Sequence, residues 1–597
     1  MTEQSTPQTS AAPGRSDLSG IVLANDVRGR AGDTLTPEIA RALGAAFADQ
    51  LDAPAMIVAH DMRLSSPELS RAVIEGAVRR GAIVADAGLS STDQLYCASG
   101  LHHAAGVMVT ASHNPGGDNG FKLCLPGARP IGRDSGLEEV RRGAEAYLDA
   151  GEIPQSGEGR AEGIDTLEDY VAALQGLVPL PAGRSVKVVV DAGNGMAGRT
   201  APAVLGTLDQ VELIGLHLEL DGSFPHHPAD PLRPENLRDL QEAVIREGAD
   251  LGLAFDGDAD RCVVLDEHGT PVPPSAITAL IAQREIARAR AGGQDRPAVV
   301  ANLVSSRHVA EAVQEAGGEH VRTPVGHTLI KTIMAEHGAV FGGEHSAHYY
   351  FRDFYFADSG MLAALHVLTA LVETDGTASE LVSAHSPYVA SGEINSRVAD
   401  APAARERVRA HVVAWPGVST DDLDGLTVEH WGEELPAEER WWFSLRSSNT
   451  EPLLRLNVEA VEEATMVRIR DEVLAIATAD ATGMPAAGDG ADDAADGASA
   501  VPLGNPDDTR SADETSAAVG TGSPAGTELP AGTELPAGAS GADVPEWVRS
   551  ILRCPDCGGE LRDVERALQC TSCAHVHPVE GGIPVLIEGR NEAPTPS

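Results

Sequence analysis

The chain is poor in basic residues. Its 597 residues include 44 Lys and Arg against 89 Asp and Glu, which gives a formal net charge of −45. Broad binding of nucleic acid needs a basic surface, so this balance excludes a general nucleic-acid-binding protein. A phosphorylated ligand would need a local Arg, Lys or metal ion to offset the negative charge of the protein. We therefore expect no nucleic-acid partner.

Long apolar stretches are also lacking. No run of the sequence reaches the ~18–20 apolar residues that a membrane-spanning helix needs. Residues 1–16 are polar and have no apolar core of the kind found in signal peptides. We expect residues 1–16 to be a disordered tail, the protein to be cytoplasmic, and no membrane to be involved.

Cysteine is scarce, with seven residues in the whole chain. Three scattered ones are predicted to be small core residues: Cys97, Cys124 and Cys262. The other four form two C-x-x-C pairs, Cys554/Cys557 and Cys570/Cys573, separated by twelve residues. In a cytosolic protein this spacing predicts a four-cysteine zinc site and not disulfides. Residues 544–591 are too short to fold on core burial alone, so we predict a zinc ribbon there.

Residues 17–479 alternate short apolar segments with amphipathic ones, which predicts an α/β protein. Buried strands are predicted at Ala55–Ala59, Val107–Val109, Val186–Val190 and Leu251–Phe255. Helices are predicted to begin after Thr36-Pro37 and after Ser66-Pro67, each a capping residue followed by proline. Residues 480–543 are acidic, rich in Ala, Gly and Ser, and repeat PAGTEL in tandem. Such a composition predicts a disordered linker.

A serine follows the second of these strands. Val107–Val109 leads directly into Thr110-Ala111-Ser112-His113-Asn114-Pro115. The carboxyl end of a buried strand is where α/β sheets bind ligands, so Ser112 is a candidate nucleophile, with His113 and Lys122 available to assist it. A hydroxyl alone is a poor nucleophile, and a loop with a capping serine would look the same. The other motifs decide between these alternatives.

Three aspartates follow Leu251–Phe255, at positions 256, 258 and 260. Their side chains point the same way if the segment stays extended, and three crowded like charges call for a cation. Oxygen ligands suit Mg²⁺, so Asp256, Asp258 and Asp260 are predicted to bind it. A solvated acidic turn is the alternative.

Two further segments carry groups suited to sugar and phosphate. Glu344, Ser346 and His348, with Gly326 and His327 upstream, offer hydrogen bonds to sugar hydroxyls. A second group brings a guanidinium, hydroxyls and an amide into one turn that suits a phosphate: Arg446, Ser448, Asn449 and Thr450. A lone histidine in the first group would more often be structural, and the second group, taken alone, fits an ordinary surface loop equally well.

In this order, the motifs resemble those of the α-D-phosphohexomutase superfamily, and more closely its bacterial phosphomannomutase/phosphoglucomutase branch, over about residues 20–475. The resemblance rests on T-A-S-H-N-P, D-G-D-A-D-R, G-E-H-S-A-H and R-S-S-N-T-E-P, and on D-V-R-G, H-D-M-R and D-A-G-N-G. It implies an enzyme that interconverts hexose 6-phosphate and hexose 1-phosphate. The reaction would pass through a phosphoserine and a hexose 1,6-bisphosphate, which also acts as activator.

The resemblance also implies the domain organisation. Three similar mixed α/β domains and a smaller α+β domain would surround a central cleft. The implied ranges are 17–159 with the phosphoserine, 160–268 with the metal loop, 269–385 with the sugar loop, and 386–479 with the phosphate loop. The linker at 480–543 and the zinc ribbon at 544–591 would follow.

Roles for individual residues follow from the same resemblance. Ser112 would be the phosphoserine and would complete a Mg²⁺ site with the three aspartates. Arg28, His113 and Lys122 would stabilise charge and move protons. The remaining residues would bind substrate: Gly326, His327, Glu344, Ser346 and His348 the sugar, and Arg446, Ser448, Asn449 and Thr450 the phosphate that does not react. Arg261 would also bind substrate.

The chain departs from the family pattern at two places. Asn25 stands where an aromatic residue is common, and Val304 stands in a strand where some members have a lysine, the nearest basic residue being Arg307. Both positions concern contacts to the sugar.

Two other functions compete with this assignment. A phosphoglucosamine mutase usually has G-E-Q-S-G-H, whereas His345 and Ala347 here favour the mannose/glucose type. A non-catalytic scaffold would be expected to lose its nucleophile or metal ligands, and both are present. The zinc ribbon resembles, over residues 545–588, a small family that includes activator subunits of methyltransferases. It is therefore a candidate site for a protein partner.

Overall fold

The computed structural model describes residues 16–51, 55–432, 434–447 and 453–479, and the backbone of four short strands between residues 561 and 584. The chain divides into two compact units, Met1–Pro506 and Asp507–Ser597. The predicted linker and, except for Ser16, the predicted tail lie outside the described residues. Within the described part of the chain, helices long and apolar enough to cross a membrane are absent.

The first sheet has parallel strands at its centre and antiparallel strands at one side, in the order β1-β5-β4-β2-β3-β7, with β6 paired to β5. Its strands are β1 Val27–Arg30, β2 Ala55–His60, β3 Ile83–Leu89, β4 Ala105–Val109, β5 Asp118–Leu125, β6 Arg129–Pro130 and β7 Arg160–Gly163. Its helices are α1 Pro37–Asp49, α2 Ser66–Arg79, α3 Thr92–His102 and α4 Leu137–Ala150. The pairing of β7 with β3 carries the sheet past residue 159, where the first domain was expected to end.

The second sheet has the order β11-β10-β8-β9. Its elements are α5 Leu167–Leu177, β8 Val186–Asp191, α6 Ala197–Val204, β9 Val211–Leu216, α7 Arg238–Glu247, β10 Leu251–Phe255 and β11 Cys262–Leu265. Every residue of β10 is buried, as expected for a central strand with helices on both faces. The loop that follows β10 therefore begins at the end of a fully buried strand.

The third sheet has the order β13-β12-β14-β15-β16. Its elements are α8 Pro274–Ala291, β12 Ala298–Asn302, α9 Arg307–Glu315, β13 Glu319–Thr323, α10 His327–His337, β14 Phe341–Gly343, β15 Tyr349–Phe351, β16 Ala357–Asp358, α11 Gly360–Val372 and α12 Ala378–Ser383. All residues of α11 are buried, in one hydrophobic core that the second and third sheets share. These two domains are therefore packed as a single body.

The fourth sheet is antiparallel, in the order β17-β21-β20-β19-β18. Its elements are β17 Val389–Arg397, α13 Ala401–Val412, β18 Ser419–Asp421, β19 Leu426–His430, β20 Trp441–Ser447, β21 Leu453–Ala460 and α14 Glu463–Ala477. It has a separate hydrophobic core against α13 and α14. In the second unit, four short antiparallel strands follow: β22 Leu561–Val564, β23 Ala567–Cys570, β24 Val576–Glu580 and β25 Ile583–Pro584.

The four-domain α/β architecture and the four predicted strands are confirmed, and Cys97, Cys124 and Cys262 are buried as expected. Helix α1 begins as predicted, with the Thr36 hydroxyl accepting from the Ile39 N–H at 3.3 Å. The predicted cap of α2 is wrong by one residue. Ser65 precedes the helix, and the Ser66 hydroxyl instead donates to Asp61 Oδ1 at 2.5 Å.

The packing of α1 on α2 depends on two glycines. A Cβ at Gly76 would lie 1.9 Å from the Arg41 carbonyl oxygen, and one at Gly44 would lie 2.3 Å from that of Val73. We expect Gly76→Ala to destabilise the protein by about 2 kcal/mol or more, because the two helix backbones must move apart. Gly176→Ala is the matched control, since its Cβ in α5 would meet no atom within 4 Å. The control should stabilise α5 by about 0.5–1 kcal/mol.

Thermal melting of the two variants and the wild type measures this difference. A melting temperature of Gly76→Ala equal to that of the wild type would contradict the proposed close contact of α1 and α2.

Candidate functional site

Ser112 lies in the loop directly after β4, with a φ of +52° and 1% of its surface exposed. Its N–H donates to Thr110 Oγ1 at 2.9 Å. Its Oγ donates to Asp256 Oδ2 at 2.7 Å and lies 3.3 Å from His113 Nδ1. The serine loop of the first domain and the aspartate loop of the second domain therefore meet at this hydroxyl.

The three aspartates converge, but not for the predicted reason. The segment from Asp256 to Asp260 is a turn, with Ala259 at a φ of +63°, and not an extended strand. The turn folds all three side chains inward, so that one oxygen of each lies within 4.8 Å of the others. All three residues are at most 1% exposed. They form a buried cluster of carboxylates at the carboxyl end of β10.

Lys122 of β5 partly neutralises this cluster. Its Nζ donates to Asp258 Oδ2 at 2.8 Å and also to Asp260 Oδ2. Burial lowers the pKa of Lys122, but the two carboxylates more than offset this and raise it overall. Burial raises the pKa of Asp258, yet Lys122 brings it below its usual value. Lys122 and Asp258 thus stay charged at neutral pH.

The other two carboxylates are not fully compensated. Burial and the charge of Asp258 raise the pKa of Asp260 to about 6. Burial, followed by the charges of Asp260 and Asp258, raises the pKa of Asp256 well above its usual value. Among the described residues, the buried Asp258 Oδ1 and Asp260 Oδ1 have no hydrogen-bond partner. Buried carboxylate oxygens without donors, in an all-oxygen set, fit a hard divalent cation.

Sequence reasoning missed Thr92, the first residue of α3. Its N–H donates to the Asp258 carbonyl oxygen at 3.0 Å, and its hydroxyl donates to Asp258 Oδ2 at 2.5 Å. The N-terminus of a helix favours a negative charge, so α3 stabilises the ionised Asp258. The capping sequence Ser91-Thr92 predicts a helix start, but it carries no signal that the start faces residue 258.

His113 and Arg28 lie close to the serine. Burial, with the positive charges of Arg261 and Arg28, lowers the pKa of His113 well below its usual value. His113 is therefore neutral at pH 7. Arg28 lies in β1, where its Nε donates to Asp26 Oδ2 at 2.8 Å, and it pairs across the sheet with Gly120.

His348 brings the third domain into contact with the aspartate cluster. His348 Nε2 accepts from Arg261 Nε at 3.2 Å and lies 3.7 Å from Asp260 Oδ1, and its Nδ1 is 3.0 Å from Ser346 Oγ. Glu344 is 3% exposed and accepts from the Tyr350 hydroxyl at 2.7 Å. Burial raises the pKa of Glu344. The structure thus brings Arg261, Glu344, Ser346 and His348 to the aspartate cluster.

The loop before α10 completes this side of the site. Gly326 has a φ of +145°, and its N–H donates to Glu344 Oε1 at 3.4 Å. His327 is the first residue of α10, and its side chain lies outside what the structure describes. Asn25 accepts a hydrogen bond from Thr328 at 2.5 Å and so links the first and third domains.

The other departure from the family pattern is Val304, which stands where some members have a lysine. Val304 is buried. Arg307 Nη1 donates to Glu429 Oε2 at 3.2 Å, and its N–H donates to Glu459 Oε1 at 3.0 Å. Arg307 therefore ties the third domain to the fourth.

Arg446 lies in β20 of the fourth domain. Its guanidinium donates to Glu393 Oε2 at 3.3 Å and to Asp424 Oδ2 at 3.5 Å, and Arg455 also donates to Glu393. Burial raises the pKa of Glu393. The other predicted phosphate residues, Ser448, Asn449 and Thr450, lie outside the described residues.

Comparison with known proteins assigns each of the four domains. The models of the phosphoglucomutase/phosphomannomutase family match over residues 21–148 for α/β/α domain I, 168–269 for domain II, 273–388 for domain III and 393–476 for the C-terminal domain. These ranges contain every predicted site residue of the mutase, from Arg28 to Thr450.

Individual relatives agree with the family models. The chain is 37% identical to a phosphomannomutase of Escherichia coli over 457 residues, which are 76% of this chain and 97% of the relative. It is 39% identical to phosphohexose mutases of Xanthomonas campestris over 75% of this chain and 97% of the relative. A solved phosphoglucomutase/phosphomannomutase family protein of Burkholderia thailandensis superposes with a TM-score of 0.68 at 31% identity, covering 78% and 98% of the two chains.

With all four domains matched and the serine and aspartate loops in contact, the chain belongs to the phosphoglucomutase/phosphomannomutase family. It is thus a phosphohexomutase, an enzyme of the isomerase class.

Proposed function

We propose that the enzyme moves a phosphoryl group between the 1- and 6-positions of mannose and glucose phosphates, through a phosphoserine at Ser112. The observation that carries this proposal is the placement of the Ser112 hydroxyl, 2.7 Å from Asp256 in a buried carboxylate cluster. The relative from Escherichia coli is named a phosphomannomutase, which supports mannose phosphates as substrates.

The reaction consists of two phosphoryl transfers. In the first, the bond between phosphorus and Ser112 Oγ breaks as a free sugar hydroxyl bonds to phosphorus, giving a hexose 1,6-bisphosphate. His113, whose Nδ1 lies 3.3 Å from Ser112 Oγ, would accept the proton of that hydroxyl. After the bisphosphate turns around, its other phosphoryl group passes to Ser112 Oγ and leaves the second hydroxyl, which regains a proton. Free hexose 1,6-bisphosphate would act as activator by phosphorylating Ser112.

Charge on the moving group must be balanced throughout. Arg28 and Lys122 supply positive charge beside Ser112, in a site shielded from water, where such interactions are strong. Asp256, Asp258 and Asp260 would hold Mg²⁺ together with a phosphoserine oxygen. When bound, that ion neutralises negative charge on the phosphoryl oxygens.

Substrate recognition would use mainly the third and fourth domains. Glu344, Ser346 and His348 of the third domain, with Gly326 and His327, would bind the sugar, and Arg261 of the second domain, which donates to His348, would assist them. The phosphate that does not react would bind at Arg446, Ser448, Asn449 and Thr450, because a guanidinium with hydroxyl and amide donors suits a dianion.

We also propose that Cys554, Cys557, Cys570 and Cys573 hold zinc in a ribbon at residues 544–591. Supporting this are their spacing and the antiparallel strands β22, β23 and β24, the second of which ends at Cys570. A closed four-cysteine site has no open position for catalysis, so the ribbon would serve a protein partner.

Replacing the nucleophile tests the main proposal. We expect Ser112→Ala to lower turnover of mannose 1-phosphate and glucose 1-phosphate by several orders of magnitude, because covalent transfer is lost. Ser135→Ala is the control, since its hydroxyl bonds only within the turn at Gly132. Steady-state kinetics and intact-mass spectrometry decide the matter. A fully active Ser112→Ala enzyme with phosphate on another residue would contradict the proposed phosphoserine. A preference for glucosamine 1-phosphate would instead identify the enzyme as a phosphoglucosamine mutase.

Removing the metal tests the aspartate cluster. EDTA should abolish activity and added Mg²⁺ should restore it. Asp258→Asn should raise the Mg²⁺ concentration for half-maximal activity by about tenfold or more, because one charged ligand is lost. Asp239→Asn, at an exposed carboxylate that pairs with His217, should leave that concentration unchanged. Activity that persists after thorough chelation would exclude the metal role.

The zinc ribbon has a separate test. Metal analysis of the full chain should find one zinc ion, which Cys557→Ser should remove and Cys97→Ala should not. The predicted mutase domains end at residue 479 and the predicted site residues at 450, so a chain ending at residue 506, the end of the first unit, should keep its mutase activity. Loss of activity on truncation, or zinc retained in Cys557→Ser, would contradict this proposal.

A further inference from the structure

The side chain of Arg63 is completely buried, with 0% of its surface exposed, just beyond the end of β2. It belongs to the H-D-M-R segment, which has no part in the reaction steps proposed for Ser112. Its Nε donates to Asp61 Oδ2 at 3.1 Å, and its own N–H donates to Asp61 Oδ1 at 3.0 Å. A buried guanidinium is costly unless all its donors are satisfied. The partners of the remaining donors therefore show what this residue does.

Those partners are carbonyl oxygens of the serine loop. One terminal nitrogen donates to the Ser112 oxygen at 2.8 Å and to the Asn114 oxygen at 2.6 Å. The other donates to the Pro115 oxygen at 2.7 Å and to the Asp118 oxygen at 3.1 Å. With the bond to Asp61, all five N–H donors of the guanidinium are used. Four of the five bind the loop that carries the nucleophile.

This loop needs such support because Ser112 has a φ of +52°. Residues other than glycine adopt the left-handed region only where the surroundings hold them there. The Ser112 carbonyl also faces the aspartate loop, where a Cβ at Gly257 would lie 2.4 Å from it. Fixing the direction of this carbonyl fixes the turn on both sides of Ser112, and with it the direction of Oγ.

The second domain encloses Arg63 from the other side. The guanidinium carbon lies 5.2 Å from the centre of the Phe224 ring, a cation–π contact. A Cβ at Gly222 would lie 2.5 Å from the Arg63 Cα. Arg63 is therefore packed between the serine loop and the second domain and cannot rotate away from its four carbonyl partners.

We propose that Arg63 is a positioning residue for phosphoryl transfer, which holds Ser112 in its left-handed conformation so that Oγ faces Asp256. This inference rests on the proposed role of Ser112. Arg63 contacts none of the reacting atoms. We expect it to affect the rate of transfer to and from Oγ and not sugar binding, because none of its hydrogen bonds goes to a proposed substrate-binding residue.

The test is Arg63→Lys in the full chain. Lysine keeps the positive charge but has three donors on a single nitrogen, which cannot span four carbonyls. Dephosphorylated enzyme is mixed with glucose 1,6-bisphosphate, and phosphorylation of Ser112 is followed by rapid quench and intact mass. The amplitude reports the fraction of folded sites and the rate constant reports transfer at each site. A residue that only maintained folding would change the amplitude and not the rate constant.

We expect the rate constant and kcat to fall together by about 10²-fold, because misplacing a reacting atom by about 1 Å has that effect. KM for the sugar phosphate should stay within about threefold of the wild-type value. Arg184→Ala is the control. Arg184 also binds an aspartate and two carbonyl oxygens, those of Leu371 and Gly376, at the junction of the second and third domains. It should lower stability without changing the rate constant.

An unchanged rate constant in folded Arg63→Lys would overturn the proposal, as would a raised KM at unchanged kcat. If Arg63→Lys does not fold, Asp61→Asn is judged by the same criteria, because it removes the charge that orients Nε and keeps the shape of the side chain.

The wild-type enzyme distinguishes failure of the proposed function of Ser112 from failure of the proposed role of Arg63. A wild-type enzyme that does not phosphorylate Ser112 refutes the proposed function. A wild type that does, with variants equal to it, refutes only the role of Arg63.

Discussion

The site depends on an imbalance of buried charge. The three carboxylates of one loop face two buried cations, the Lys122 ammonium, which binds Asp258 and Asp260, and the Arg261 guanidinium, 3.7 Å from Asp256 Oδ2. Moving an ion out of water costs several kcal/mol even after relaxation, so the loop is unfavourable without its partners. Two of those partners, Lys122 of β5 and Thr92 of α3, come from the first domain. Charge compensation therefore couples the docking of the first two domains to the formation of the site.

The third domain is joined to this centre by polar contacts of the same kind. Arg261 binds His348, and the buried Ser359 hydroxyl of the third domain donates to Asp93 Oδ2 of α3 at 2.6 Å. Asn25 and Thr328 connect the third domain to the first. Because these contacts are polar and directional, they fix the relative placement of the three loops more tightly than apolar packing alone would. The positions of Ser112, the three aspartates and the predicted sugar-binding residues are thus fixed relative to one another.

Sequence patterns predicted the strand ends well, because a short, fully apolar run that turns abruptly polar is typical of a buried strand reaching the edge of its sheet. They therefore placed Ser112 and the three aspartates at sheet edges. They failed where a backbone conformation has no residue signal, as at Ala259, whose left-handed φ makes the acidic segment a turn. They also failed for contacts between distant residues. Nothing in the local sequence shows that Thr92 binds Asp258 or that Arg63 binds the Ser112 loop.

The two loops that meet at the nucleophile constrain each other. Ser112 and Ala259 both have positive φ, a conformation that costs of order 1–3 kcal/mol for such residues and persists only under support from neighbouring structure. The support is partly mutual, because the Ser112 carbonyl occupies the space where Gly257 lacks a side chain. A Cβ at 257 would push the loops apart and lengthen the contact from Ser112 Oγ to Asp256. The Ser112 hydroxyl and the acidic cluster therefore cannot move independently. Their separation depends on how closely the backbone of the serine loop approaches that of the aspartate loop.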